Sequence, residues 1–498
     1  MTRVAWLVIA AALMSPLAAR ADQPLRTPLH GDRQQDWSLI DPAVTDVAIP
    51  PAGAEPEPIN HAPVSNIIYL NRCTGGCTFT KTEYPRSSSI QNQTWIIGDQ
   101  STPSGTEFHI SEFAFAPAVW DEVVQCVKDV YAPYDVQIVT EDPGAVAHHE
   151  AIVAGTSTDY GIPPNQALGK AELGAGFCSP KDNAVSLNIA NDHTGGSGMT
   201  VAQNICWTVA QETAHSWGLD HEIECTDALT YDFGSCGRRF FRNINSDCGE
   251  VGITGPRACQ CGGTKQNTHG KILTLFGPGD PAAQLMPNLR IEQPVAGAQF
   301  PRGAKVLLNA TAPRGLKHIE VLVNGWKWVD QPASGAVYQI GLPDEVPDGV
   351  MDITVRACDD IETCAVQTVT VTRGAPCTGV ETCLPGQSCD AGKCAWPPAS
   401  VELGGACEYN QQCLSLLCGD IGGGELACTE ACQGPPNDFC PDGFHCNAAA
   451  AQTGVCRPDG GEETGCCSVE GTGRSAMLLN VGLGGLVALL VARRRRRR

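Results

Sequence analysis

The sequence predicts a multidomain chain: an α/β domain first, then an all-β sandwich, then small disulfide-rich modules. Three observations predict it. At 498 residues the chain is too long for one hydrophobic core, since domains average about 150 residues. Its 26 cysteines are a count expected in an oxidising compartment. Hydrophobic periodicity also changes along the chain, from mixed helical and strand spacing, to short alternating runs, to segments with few large apolar side chains.

In chain order, residues 1–21 carry Arg3, the apolar run Val4 to Leu13 and the small-residue site Ala19-Arg20-Ala21. These are the parts of a cleaved secretory signal. Residues 22–60 are rich in proline and acids, as in Glu55-Pro56-Glu57-Pro58, and bury too little apolar surface to fold alone. This segment is expected to be a linker or propeptide. It has no cysteine, so it cannot hold a metal silent through a thiolate.

The α/β domain is expected over 61–285. Asn66 to Leu70 is β-rich, and the glycines of Cys73-Thr-Gly-Gly-Cys77 allow a tight turn. Pro117 to Tyr131 places Val119, Val123, Val127 and Val130 near helical spacing. Val136 to Val139, Ala151 to Val153 and Ala184 to Ile189 read as strands. Thr200 with Gln203 forms a capping box that opens a helix, and Gly218 closes it. Cys206, Ala210, Thr213 and Trp217 are its core stripe. Gly270 to Phe276 is expected to be the closing helix.

Residues 287–373 contain Val306-Leu-Leu-Asn-Ala, Ile319-Glu-Val-Leu-Val and Ile353-Thr-Val-Arg-Ala between Pro and Gly turns, the pattern of a β-sandwich. They resemble a bacterial immunoglobulin-like module. Trp326 and Trp328 are expected to pack on their own hairpin. Residues 375–458 hold twelve cysteines and few core formers, so disulfides must hold their shape. The cysteines fall in even groups: ten from Cys73 to Cys261, then Cys358 with Cys364, four from Cys377 to Cys394 and eight from Cys407 to Cys456. Pairing within each group stays open.

A linker at 459–475 carries Gly465-Cys466-Cys467, and 476–498 combine an apolar run, Met477 to Ala492, with six terminal arginines. This tail resembles the C-terminal sorting signal of myxobacterial surface proteins. The resemblance implies a sorting peptidase acting near Cys466 and lipid attachment there; a plain transmembrane anchor is the alternative. Either way the chain is expected to be exported to the cell surface. Acids outnumber bases 54 to 33, a formal charge of −21, which repels nucleic acid.

The chemistry is concentrated in Gln211-Glu212-Thr213-Ala214-His215-Ser216-Trp217-Gly218-Leu219-Asp220-His221. Helix positions four apart lie on one face, so Gln211 and His215 point together with Glu212 beside them. Gly218 lets the chain leave the helix and swing His221 back. The stretch resembles the metzincin zinc signature H-E-x-x-H-x-x-G-x-x-H, matching at Glu212, His215, Gly218 and His221 and departing at Gln211. The resemblance implies Zn2+ held by His215 and His221, Glu212 as general base, and a polypeptide substrate. Leu229-Thr230-Tyr231 resembles the family's methionine turn with leucine in place of methionine, Tyr231 assisting at the oxyanion; Leu285-Met286-Pro287 competes for that role. Three outcomes stay open at the departure: Gln211 is a weak third ligand, His193 or the pair His148-His149 replaces it, or the site holds no metal. The expected function is a surface-anchored zinc endopeptidase. The alternative is an inactive relative that binds polypeptides without cutting them.

Overall fold

The structure is a computed structural model. It describes residues 64–458 apart from 165–166, 173–177, 179, 196–198, 232–235, 422–424, 434–439, 442 and 448–452. The expected signal peptide, the 22–60 segment, Cys466 and the apolar, arginine-ended tail lie outside the described residues. What is described is mostly β-sheet with few helices and many disulfides. Among the described residues, no helix is long and apolar enough to cross a membrane.

The first part of the chain runs β1 (Ile67–Asn71), β2 (Cys77–Lys81), β3 (Gln93–Thr94), β4 (Glu107–Ile110), α1 (Pro117–Tyr131), β5 (Gln137–Val139), β6 (His149–Ala154), β7 (Gly169–Lys170), β8 (Val185–Ile189) and α2 (Val201–His215). A five-stranded sheet has the order β5-β1-β6-β8-β7. Its strands are parallel except β7, which pairs antiparallel with β8 at the edge. Ile68, Leu70, Ala151 and Val153 face both helices, packing against Val123, Val127, Ile205 and Val209 in one core. The other face, with Ile152, Val185, Leu187 and Ile189, packs on Phe79, Ile96, Ile97 and Ile110. Burial on both faces explains why β8 is buried throughout. The small sheet β3-β2-β4 lies beside it in the chain.

After α2 come β9 (Ser246–Glu250), β10 (Gly255–Arg257), β11 (Lys265–Gln266) and α3 (Thr268–Phe276). Strand β9 is the centre of the sheet β10-β9-β11. The next seven strands are β12 (Asn288–Gln293), β13 (Lys305–Thr311), β14 (His318–Val323), β15 (Trp326–Pro332), β16 (Val337–Gly341), β17 (Gly349–Cys358) and β18 (Cys364–Arg373). They form two antiparallel sheets, β12-β13-β16 and β15-β14-β17-β18. Inward residues of both, such as Val306 and Leu308 against Ile319, Val321 and Ile353, share one core.

This sandwich is fastened to the first part by buried charge. Arg314 bonds Asp360 at 3.0 Å and the Phe241 carbonyl at 2.7 Å, and its guanidinium lies 4.9 Å from the Phe240 ring centroid. Asp360 also accepts the Asn243 amide at 2.9 Å.

Every described cysteine group closes on itself. Cys73–Cys77, Cys126–Cys206, Cys178–Cys261, Cys225–Cys236 and Cys248–Cys259 pair in the first part, and Cys358–Cys364 joins β17 to β18. Three successive modules then repeat one connectivity, first to third and second to fourth: Cys377–Cys389 with Cys383–Cys394, Cys407–Cys418 with Cys413–Cys428, and Cys432–Cys446 with Cys440–Cys456. In the last two the disulfides themselves are most of the core. Trp328 packs against the core of its own sandwich, as expected. Trp326 and Trp328 also meet Trp396 of the first module, with ring centroids 5.5 and 5.9 Å away.

Candidate metal centre

Helix α2 is positioned before its chemistry begins. The Thr200 hydroxyl accepts the Gln203 amide at 3.1 Å and the Gln203 side chain accepts the Thr200 amide at 2.9 Å, completing the capping box. Cys206, on the core stripe, is bonded to Cys126 of α1. The helix ends at His215, and the Gly218 amide returns to the His215 carbonyl at 2.8 Å. Gly218 has φ +79°, and an added Cβ would sit 2.9 Å from the Cys178 carbonyl oxygen, so both conformation and space require glycine. Gln266 then grips Asp220, accepting its amide at 3.0 Å and donating to its carbonyl.

The turn delivers His221 back to the helix. His215 Nε2 and His221 Nε2 are 2.9 Å apart, and the Gln211 amide is 3.2 Å from His221 Nε2. Both imidazoles are fully buried. Their outer nitrogens fix their tautomers. His215 Nδ1 is 2.7 Å from the Leu219 carbonyl, and His221 Nδ1 is 2.8 Å from Glu250 Oε1. Both partners only accept, so each Nδ1 carries the proton and each Nε2 presents a lone pair. Two lone pairs aimed at each other at 2.9 Å repel unless a cation or proton sits between them. Turning the Gln211 amide by 180° brings its oxygen to the same point. The donor set therefore fits a divalent ion.

Glu212 lies one step round the helix and is 2% exposed. Its carboxylate packs on edge strand β7, where a Cβ added to Gly169 would overlap it. Tyr231 comes next to His221 because Glu222 bridges Thr230. The Tyr231 and His221 rings meet edge-on at 4.5 Å between centroids. Leu229 is fully buried in the core that includes Ala210 and Ala214 of α2. Met286 of the competing turn is 54% exposed, so it does not floor the site.

The histidines weighed as replacements are all buried. His148, just before β6, and His149, its first residue, are 1% and 2% exposed. His148 Nδ1 bonds the Val146 carbonyl, and His149 Nε2 bonds the Ser186 hydroxyl. Burial holds His149 down to about 3. His193 follows β8, and burial holds it down to about 4.

A second group of ligand-type atoms, Asp220, His221 and Glu250, lies close together. It is not an ion site, because Arg257 fills it. The guanidinium bonds Asp220 at 2.6 and 2.7 Å and Glu250 at 3.2 Å. Burial tends to raise the Glu250 carboxyl, but bonds from His221, Arg257 and Thr254 outweigh it and hold the group down to about 2. Nothing in the helical signature points to Glu250, 29 positions beyond His221 on β9. The described cysteines are in disulfides, which removes them as ligands.

No family model matches the chain, and no curated protein matches it. Among solved structures, it is similar over 18% of its length to Clostridium thermocellum CbhA fibronectin(III)-like modules, at 16% identity, 48% of that chain and TM-score 0.16. It is similar over 24% to apo Bacteroides uniformis beta-glucuronidase 3, at 16% identity, 15% of that chain and TM-score 0.13. A protocadherin gammaB7 EC3-6 cis-dimer structure aligns with 35% of the chain at 10% identity, 42% of its own chain and TM-score 0.13. The chain spans less than half of each of these structures, and none of the overlaps defines a shared fold.

Proposed function

We propose that the chain is an exported, surface-anchored zinc-dependent endopeptidase whose first domain, 61–285, is metzincin-like. The observation that carries this reading is that His215 Nε2 and the Gln211 amide both meet His221 Nε2, at 2.9 and 3.2 Å, with both Nδ1 atoms already engaged. His215, His221 and Gln211 would hold the ion. A bound Zn2+ supplies Lewis acidity, lowering the pKa of a coordinated water and polarising a peptide carbonyl. Glu212, on the same helix, takes the proton of the attacking water and delivers it to the leaving amine. The Tyr231 hydroxyl donates to the oxygen that gains charge.

The polypeptide class of substrate is supported by β7. It is one of the two outer strands of the five-stranded sheet, and it passes directly over Glu212 at Gly169. An extended chain pairing with that edge brings its backbone to the carboxylate. The disulfide-rich modules suit an exterior location. The Cys466 sorting site and apolar tail supply the proposed anchor and the need for a sorting peptidase.

Gln211 favours one competing reading, a groove that binds polypeptides without cutting them, because a neutral amide is a weaker ligand than imidazole. Metal analysis of the purified protein together with casein hydrolysis separates the two. About one zinc per chain, with cleavage lost in Glu212→Ala by roughly a hundredfold or more, supports the enzyme. Metal-free protein that binds unfolded casein and never cuts it supports the binder.

A further inference from the structure

A set of two neutral imidazoles and a neutral amide brings no charge to balance a divalent ion. The nearest compensation to His221 lies one bond behind it. Glu250, 2% exposed at the end of β9, receives the His221 Nδ1 proton at 2.8 Å. It also accepts from Thr254 and from Arg257 Nε at 3.2 Å. Arg257 is fixed in turn on Asp220 at 2.6 and 2.7 Å. Asp220 accepts the backbone amides of His221 and Gln260, each at 2.7 Å. The imidazole is thus held at its backbone and at its ring by one buried network of two carboxylates and one guanidinium. At His215 the Nδ1 meets the Leu219 carbonyl at 2.7 Å.

A carboxylate drawing on Nδ1–H pushes electron density toward Nε2 and makes that nitrogen a stronger donor. We infer that Glu250, locked by Arg257 and Asp220, is a positioning residue that strengthens His221 as a ligand and offsets the weak ligand Gln211. The inference rests on the metal-centre reading above. It also explains why a neutral residue is tolerated at 211: the two carboxylates and one guanidinium of the Glu250–Arg257–Asp220 network leave one net negative charge behind His221.

The test measures Zn2+ affinity of the purified full chain by competition with a chromophoric chelator. Glu250→Gln, an isosteric change, should weaken binding roughly 10–100-fold in metal-free protein shown by circular dichroism to remain folded. Glu250→Gln should cost several-fold less affinity in a Gln211→His background than in wild type, and an equal cost in both backgrounds overturns the claim that Glu250 offsets Gln211. Equal zinc affinity in wild type and Glu250→Gln overturns the inference and leaves the metal centre standing. Wild type that binds no zinc overturns both. A measurement on wild type alone covers the case in which Glu250→Gln does not fold. In zinc-loaded protein with 15N-labelled histidine, His221 should show the metal at Nε2 and a downfield, exchange-protected proton at Nδ1. Metal at Nδ1, or a rapidly exchanging proton there, overturns the inference.

Discussion

Glu212 and Gly169 touch across the gap between α2 and the edge strand, and the smallest side chain is what lets the carboxylate stay there. Gly169→Ala would overlap Glu212 Oε1 and Cγ. We expect it to lower kcat of casein cleavage at least tenfold while the zinc content is retained, a split that metal analysis beside kinetics reads directly. Gly218→Ala should be worse for the fold. It combines a left-handed backbone with a carbonyl 2.9 Å from the new carbon, so a loss of at least about 1–2 kcal/mol is expected in denaturant unfolding. Glu212, His215, Gly218 and His221 are legible in the sequence because helix periodicity and one glycine place them. Glu250 is not legible. It reaches His221 only because Gly249 accepts a backbone position with φ +141° in β9 and Arg257 pairs opposite Cys248, and neither leaves a local pattern in the chain.

At the scale of elements, the five-stranded sheet buries acids that no function absorbs. Burial pushes the Glu150 carboxyl up to about 8, opposed by the Asn71 amide at 2.8 Å. Burial likewise pushes Glu172 up to about 7, with bonds from Ser87 and Thr94 opposing. A carboxyl raised above its unfolded value adds stability that is complete below about pH 4.5 and is lost as pH rises through the folded value. Stability should therefore fall from about pH 4.5 to 8 on account of Glu150, and Glu150→Gln should flatten that slope in thermal unfolding followed across pH. Helix ends were the most readable part of this layer. Pro117 and the Thr200 box mark α1 and α2 as the structure has them, and Thr200→Ala should cost about 1 kcal/mol. Strand β7 has only two residues, Gly169 and Lys170. Its existence depends on pairing with β8, which is why no alternation announces it. The polar run His148-His149-Glu150 shows no alternation either, yet flanking strands pair with His149 and Glu150 and all three side chains are buried.

Across the whole molecule, Arg314 links the sandwich to the first part of the chain. Its partners Asp359 and Asp360 are 0% and 4% exposed, so Arg314→Ala strands buried charge and should cost about 3 kcal/mol or more. Calorimetry should then resolve separate unfolding transitions where wild type shows a shared one. The clamp was invisible in the sequence because its members stand 46 positions apart, on loops after β13 and β17. Even grouping of the cysteines, by contrast, anticipated where the disulfides close, although not which pairs form.

Two of those bonds bear on when the molecule can work. Cys126–Cys206 and Cys178–Cys261 close loops of 80 and 83 residues, each worth roughly 4 kcal/mol in chain entropy. One staples α2 to α1, and the other holds the peptide against which Gly218 turns. While the chain remains among reducing thiols both staples are open, and the two imidazoles have no firm frame to meet in. On the endopeptidase reading proposed above, an oxidising space would therefore be needed before the site could assemble, with no separate inhibitor required to hold it silent until then.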